Sequence, residues 1–369
     1  MPWNRPFRRI AAQTALVASL WVVIGIADAR TQTAGGSQRA AATIDRATGL
    51  ALQGDAAAAV QALAQTPAAS FAGENATFRT CMMERFQDAA QPSFDFTVTD
   101  PWVASLAMNY VAYRQRALTR ANEREEAELE LRNASGKLLG HPVTNDGEVD
   151  EAEAAITSKA EKLGFHVLLG RTAPLRELML WKKQTMELRQ VNLPETRQSV
   201  TVNLLDDFVL RGWGYYATCG RRSAGGWATE KGLFAVVPAY QSLHDETFSV
   251  RFLAHESQHY ADKKAFPKLE SWELEYRAKL VELALAVSSQ ALTVELICEN
   301  RGTSKDSAHG FANTRVVNDV TKFVSMQPGD LCTRKTLTGQ LLRHAATQIL
   351  LEDWKKRGQD KTQGANVSQ

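Results

Sequence analysis

The hydrophobic pattern in the first half of the chain predicts helices. Residues 41–92 are rich in alanine and have apolar positions at helical spacing, with a break at residues 66–67, which predicts a helical hairpin. An aspartate followed by a proline at residues 100–101 is typical of a helix start, and a long helix is expected over residues 101–137. Further helices are expected over residues 151–162 and 174–190, which makes residues 41–192 a helical region.

The pattern changes near residue 193. Residues 198–210 and 232–237 are apolar and rich in β-branched side chains, which predicts two strands of a small antiparallel sheet. Residues 245–264 contain no proline or glycine and are expected to form one helix, and a second helical stretch covers residues 270–299. The expected fold class is α+β and mainly helical, with a second region, residues 193–354, built from the sheet and this helix pair.

The first 29 residues have the composition of an export signal. Three arginines precede an apolar run that reaches residue 26, and small residues follow at the two recognition positions of a cleavage site. This order predicts a signal peptide over residues 1–29, cleaved near Ala29, and a periplasmic or secreted protein. The alternative is an uncleaved N-terminal membrane anchor, because the run is nearly long enough to span a bilayer. Two polar segments are expected to be a flexible leader, residues 30–40, and a disordered tail, residues 355–369.

Composition and charge favour a protein with a substantial core and do not favour a nucleic-acid partner. The chain has 369 residues, 44% of them hydrophobic, and a formal net charge of +2. This composition permits a substantial core, and the near-neutral charge gives no electrostatic support for a nucleic-acid partner. No later stretch is apolar enough to cross a bilayer, so no stable membrane span is expected after signal cleavage. The sequence does not indicate an oligomeric state.

Four cysteines follow the predicted signal peptide. An even number in an exported chain predicts two disulfides, for which three pairings exist. A bond between Cys298 and Cys332 is favoured, because it would tie the end of the second helical stretch to the C-terminal region, and it leaves Cys81 to pair with Cys219. The alternative is four unrelated buried thiols.

The candidate chemistry lies in the helix predicted over residues 245–264. It contains His255, Glu256 and His259, a His-Glu-x-x-His motif. On a helix the two histidines lie one turn apart on one face and can bind one metal ion, with the glutamate placed beside it as a general base. A catalytic zinc site needs a third protein ligand and an open position for water.

The following helical stretch offers carboxylates for that third ligand. Glu275 is the preferred ligand because it lies nearer the turn between the two helices, and Glu282, seven residues later on the same face, is a supporting residue or an alternative ligand. Asp262 lies seven residues after His255, about 10 Å along the helix axis, which is too far for a shared ion. Asp262 is therefore expected to support His259, or a neighbouring donor, through a hydrogen bond.

The motif and the glutamate on the next helix resemble the zincin metallopeptidases, in the gluzincin branch whose third ligand is a glutamate. The resemblance covers about residues 230–285, and the metzincin extension is absent because Ala265 stands where its third ligand would be. It implies one catalytic Zn²⁺ held by His255, His259 and Glu275, a peptide or protein substrate, and hydrolysis with Glu256 as general base. It also implies that the strand at residues 232–237 is an edge strand that holds the substrate.

A second donor usually stabilises the oxyanion in such chemistry. Tyr276 and His309 are candidates for this role, as are Tyr240 and Arg277. Two alternative functions remain open on the sequence alone. One is a non-catalytic exported binding or assembly protein that keeps a zincin-like fold, and the other is a zinc amidase that acts on cell-wall material.

Overall fold

A computed structural model describes most of the chain. The described residues are 22–25, 38–87, 98–327, 330–333 and 338–366. They form a mixed α/β structure in which one sheet separates two hydrophobic cores. One core joins the sheet to the helices that precede it in the chain, and the other joins it to the helices that follow.

Six helices precede the main strands and confirm that the first part of the chain is largely helical. They are α1 (Gln38–Leu52), α2 (Ala56–Ala64), α3 (Glu74–Phe86), α4 (Pro101–Thr119), α5 (Arg124–Leu139) and α6 (Asp146–Lys162). Asp100 caps α4 as expected, since its carboxylate accepts hydrogen bonds from the amides of Trp102 at 2.9 Å and Val103 at 3.0 Å. The single helix expected over residues 101–137 is instead two, because the chain leaves helical geometry at Arg120.

The prediction of a helix over residues 174–190 is wrong. These residues belong to a β-hairpin of β2 (His166–Thr172) and β3 (Leu175–Asn192). Leu178 and Leu180 pack into the first core, whereas Met179 and Trp181 pack into the second. A strand that is buried on both faces has a continuous apolar run, which periodicity alone does not distinguish from a buried helix.

The sheet is mixed and larger than the small antiparallel sheet that the sequence predicts. Its other strands are β1 (Val22–Gly25), β4 (Arg197–Leu210), β5 (Arg222–Thr229) and β6 (Gly232–Val236), in the order β1-β5-β6-β4-β3-β2. β4 and β6 are parallel and the other neighbours antiparallel. β6 lies between β5 and β4, so its expected role as a substrate-holding edge strand is wrong. The predicted boundary at residue 193 falls in the turn between β3 and β4.

The structure describes the N-terminal segment only in part, so the predictions made for it are only partly tested. β1 lies within the predicted signal peptide and pairs with β5, while residues 1–21 and 26–37 lie outside the described residues. The leader expected over residues 30–40 is therefore described only from Gln38, where α1 begins.

The loop expected before β6 contains the short helix α7 (Trp213–Ala217) and most of β5. After β6 come α8 (Glu246–Phe248), a π-helical segment (Ser249–Ala254), α9 (His255–Ala265), α10 (Ser271–Leu285), α11 (Gln290–Glu299), α12 (Ala308–Phe323), α13 (Asp330–Thr333) and α14 (Gly339–Asn366). The stretch expected as one helix over residues 270–299 is thus divided into α10 and α11. Residues 355–366, expected to be disordered, continue α14, and residues 367–369 lie outside the described part.

Two disulfides join distant parts of the chain in the pairing that the sequence favours. Cys81 on α3 bonds Cys219 after α7, and Cys298 on α11 bonds Cys332 on α13. The Cα–Cα separations of 6.2 and 5.5 Å are ordinary for disulfides. Two such bonds are compatible with an exported protein. Among the described residues, no helix combines the length and the apolar character needed to cross a bilayer.

Candidate metal site

Aromatic side chains pack the helix that carries the motif against the sheet. Asp245 begins it by accepting a hydrogen bond from the amide of Phe248 at 2.9 Å. The buried ring of Phe252 lies against Gly226 on β5, where a Cβ atom would stand only 2.4 Å from the ring. A glycine at residue 226 is therefore needed for the helix to approach the sheet. The π-helical segment Ser249–Ala254 ends where α9 begins at His255, and such segments occur frequently at functional sites.

Three side chains from two helices converge at the motif. The Nε2 atoms of His255 and His259 are 3.1 Å apart, and the carboxylate oxygens of Glu275 on α10 lie 3.6 Å from Nε2 of His255 and 3.3 Å from Nε2 of His259. All three side chains are buried. Ligands of a tetrahedral zinc ion at about 2.0–2.1 Å stand about 3.3–3.4 Å from one another. The spacing fits a metal site, and His255, His259 and Glu275 could bind a metal ion.

Glu282 contacts the ring nitrogen of His255 that points away from Glu275. Its Oε1 atom lies 2.6 Å from Nδ1 of His255 and 2.6 Å from Nζ of Lys279. This contact assigns the ring proton to Nδ1 and leaves the Nε2 lone pair facing Glu275, as a metal ligand requires. Burial, reinforced by Lys279, lowers the pKa of His255 to about 4 and keeps the ring neutral. Glu282 is thus placed as a supporting residue, on the far side of His255 from the three converging ligand atoms.

Glu256 lies beside this group and is fully buried. Neither of its carboxylate oxygens has a hydrogen-bond partner among the described residues. Burial raises the pKa of Glu256 to about 7, with the positive charge of His259 acting against the rise and the negative charge of Glu275 adding to it. A buried carboxylate without a partner is costly, and it can take up a proton near neutral pH.

His309 is the one oxyanion candidate that contacts the site. It lies at the start of α12, and its Nδ1 atom approaches Oε2 of Glu275 to 2.7 Å. Its side chain is 47% exposed, so the imidazole connects the buried group with solvent. Burial works against ionisation of Glu275, but His259 and His309 hold the pKa of Glu275 well below its usual range.

The other oxyanion candidates are engaged elsewhere. The hydroxyl of Tyr276 donates to Asp319 at 2.8 Å, and that of Tyr240 donates to the carbonyl of Gly225 at 2.9 Å. Arg277 is fully buried and donates to three carboxylates. All three side chains donate hydrogen bonds to groups of the protein itself.

Arg277 connects its own helix, α10, with three other parts of the structure. Its guanidinium donates to Asp262 on α9 at 2.8 Å, to Glu195 in the β3–β4 turn at 2.8 Å, and to Asp353 on α14. Asp262 also accepts a hydrogen bond from Gln258 at 2.9 Å. Asp262 therefore binds neighbouring donors and not His259, whose Nδ1 atom has no hydrogen-bond partner among the described residues.

The sequence does not point to Lys279, Glu195 or Asp353. Lys279 could have been suggested by its three-residue spacing from Glu282 on one helix face. Glu195 and Asp353 meet Arg277 across 82 and 76 residues of chain, and no local pattern marks them.

Comparison of the chain with protein-family models, with curated proteins and with solved structures finds no match. What the site can do follows from its own residues. It offers two imidazole nitrogens and a carboxylate at ligand spacing, with a second carboxylate beside them that can accept a proton. Such a group can hold a divalent cation and assist proton transfer.

Proposed function

We propose that the protein is an exported zinc metallopeptidase in which His255, His259 and Glu275 hold zinc and Glu256 is the general base. The observation that carries the proposal is the carboxylate of Glu256. It is buried without a hydrogen-bond partner among the described residues, directly beside three residues at metal-ligand spacing. A purely structural metal site has no need for a second, unpartnered carboxylate, whereas a hydrolytic site needs a base.

The ligand types favour zinc. Two imidazoles and one carboxylate are a known donor set of catalytic zinc, in which the fourth position stays open for water or substrate. A bound zinc ion would supply Lewis acidity, which lowers the pKa of water and stabilises negative charge on a carbonyl oxygen.

The chain's own residues would then move the proton. Glu256 takes a proton from the attacking water as the new bond forms between water oxygen and the carbonyl carbon of the substrate. It passes this proton to the amine nitrogen as the C–N bond breaks, so that a carboxylic acid and an amine leave. In the metal-free protein, burial raises the pKa of Glu256 to about 7, which makes it a stronger base than an exposed glutamate. His309, the oxyanion candidate that contacts Glu275, would donate a hydrogen bond to the developing oxyanion.

Full burial of the site supports a second candidate, a non-catalytic metal site in a binding or assembly protein. His255, Glu256 and Glu275 are 0% exposed and His259 is 2% exposed. A catalytic site must admit its substrate, and these side chains have almost no surface in contact with solvent. The same zinc chemistry would also hydrolyse a non-peptide amide of the cell wall.

Metal analysis of the purified protein, combined with Glu256→Gln, separates these functions. We expect one zinc per chain in both proteins. Cleavage of a denatured protein, followed by mass spectrometry of new termini, should fall by about 10²–10⁴-fold in Glu256→Gln. Glu161→Gln, an exposed change on α6, is the matched control and should leave cleavage unchanged.

Each other outcome points to a different function. Zinc in both proteins without cleavage by either would support the non-catalytic site. Cleavage of isolated cell-wall material, but not of denatured protein, would support the amidase. Absence of metal from the wild-type protein, even after incubation with zinc, would overturn all zinc functions.

A further inference from the structure

The second half of β3 has one unpaired edge. β2 pairs with β3 only as far as Trp181, whereas β4 continues along the other side of β3 to Asn192. Within the described part of the chain, residues 182–192 therefore have a strand partner on one side only. Unpaired edges of this length are usually covered or paired with another strand, because their free amides and carbonyls invite strand addition.

Two large apolar side chains lie in the middle of this edge segment, residues 182–192. Met186 and Leu188 are both 73% exposed, the highest values among the large hydrophobic residues of the described chain. They are two residues apart on one strand and so point to the same face of the sheet. On the other face, Glu187 accepts hydrogen bonds from its neighbour Arg189 at 2.9 and 2.7 Å.

We propose that the edge segment pairs with the same segment of a second copy of this chain, in an antiparallel manner about a two-fold axis at Glu187. Residue 187 is the midpoint of residues 182–192, so this register pairs the whole open edge with itself. Any other antiparallel register leaves part of the edge unpaired. A two-fold contact of one patch with itself is the commonest arrangement of homodimers.

The side chains favour the same register independently of the length argument. It places Met186 of each copy opposite Leu188 of the other, so that two Met–Leu pairs form between exposed apolar side chains. Lys182 then stands opposite Asn192, and Lys183 opposite Val191, so the lysines that would otherwise protect an edge face no like charge. Thr185 stands opposite Arg189.

The axis itself brings two glutamates together. The two copies of Glu187 face each other, but each is already bound by Arg189 of its own chain, so their charges are compensated. The pairing of exposed apolar side chains and the compensated charges favour a second copy of the chain over an unrelated extended peptide. The pairing goes beyond the proposed metallopeptidase function and does not depend on it.

The first test is the mass in solution over a range of protein concentrations, by light scattering or sedimentation. One chain has a mass of 40.7 kDa, and the wild type should approach twice the mass of one chain as concentration rises. The double variant Met186→Lys with Leu188→Lys should remain a monomer. The control Leu129→Lys changes an apolar side chain that is 50% exposed on α5, and it should dimerise like the wild type. All three substitutions are at exposed positions, so circular dichroism should show unchanged folding in both variants.

The second test checks the register with single cysteines, since the described chain has no free thiol. Glu187→Cys should form a disulfide-linked dimer under mild oxidation, because residues on the axis have Cβ atoms about 4.5–5.5 Å apart. Thr185→Cys should not, because its two copies lie about 13 Å apart along the strands.

Two results would overturn the proposal. One is a wild-type monomer at every concentration, including the case in which the edge binds an extended peptide of another protein instead. The other is equal crosslinking at residues 185 and 187, which would show random collision and no fixed register.

Discussion

His255 and Glu282 form a buried pair in which Nδ1 of the imidazole lies 2.6 Å from the carboxylate. The pair sets the orientation of the ring whose opposite nitrogen faces His259 and Glu275. Burial alone would raise the pKa of Glu282, but Lys279 and His255 lower it to about 2, so the carboxylate stays charged. Glu282 therefore orients His255 from one side, whereas Glu275 lies on the side of the candidate metal position.

Glu275→Gln and Glu282→Gln should therefore weaken zinc binding to different degrees. Loss of a hydrogen-bond partner of a metal-binding histidine typically costs 10–100-fold in affinity, which is the expected effect of Glu282→Gln. Glu275→Gln removes a ligand and should have the larger effect. Competition with a chelator of known affinity measures both. If Glu282→Gln lost as much affinity as Glu275→Gln or more, the assignment of the third ligand would be wrong.

His309→Gln should separate binding from catalysis. The side chain touches Glu275 but is not one of the three converging ligands, so zinc content should persist. Under the proposed function, loss of an oxyanion donor should lower kcat by about 10²–10³-fold with little change in KM. His344→Gln, on α14, is a control that should change neither value. Loss of zinc from His309→Gln would instead identify His309 as a ligand.

Arg277→Met should strongly destabilise the fold. It leaves Asp262 and Glu195 buried without their guanidinium partner, and breaking a buried pair in this way costs about 3–5 kcal/mol of unfolding free energy. Arg315→Met breaks an exposed pair with Asp319 and should cost at most about 1 kcal/mol. Urea denaturation measures both. Similar values for the two variants would show that the buried network contributes little.

Glu246 should make a contribution to stability that disappears in acid. Its carboxylate accepts hydrogen bonds from the amides of Val287 at 2.9 Å, Ser288 at 3.1 Å and Ser289 at 2.8 Å, which ties α8 to the start of α11. Burial opposes ionisation, but these amides lower the pKa of Glu246 from 4.5 to about 2. Because the folded-state pKa is the lower one, the contribution is fully present above about pH 4.5 and is lost as the pH falls through 2.

Glu246→Ala should therefore lower the unfolding free energy by about 1 kcal/mol at pH 7, as loss of a helix-capping side chain does. The carboxylate is partly exposed, so solvent screening keeps the value this small. Glu246→Gln keeps an acceptor without the charge and should fall between wild type and Glu246→Ala. The difference between wild type and Glu246→Ala, measured by urea denaturation at several pH values, should shrink below pH 4. A constant difference across that range would contradict the assignment.

The sequence by itself determined the local part of the site. The spacing of His255 and His259 places both rings on one face of any helix, and no proline or glycine interrupts that helix from Asp245 onward. The cap at Asp100 and the favoured disulfide pairing could also be predicted from the chain, and the structure confirms both. These features depend on residues that are close in sequence or on the short list of pairings that four cysteines allow.

Only the tertiary structure decided the rest. Whether residues 175–181 form a helix or a strand depended on cores that bury both faces, and whether β6 lies at an edge depended on the strands that flank it. The roles of Glu282 and Asp262 depended on the packing of α10 against α9, which brings Glu282 to His255 and Arg277 to Asp262. The physical reason is common to all of these cases. Burial and pairing are set by contacts between residues far apart in the chain, and local periodicity carries no information about them.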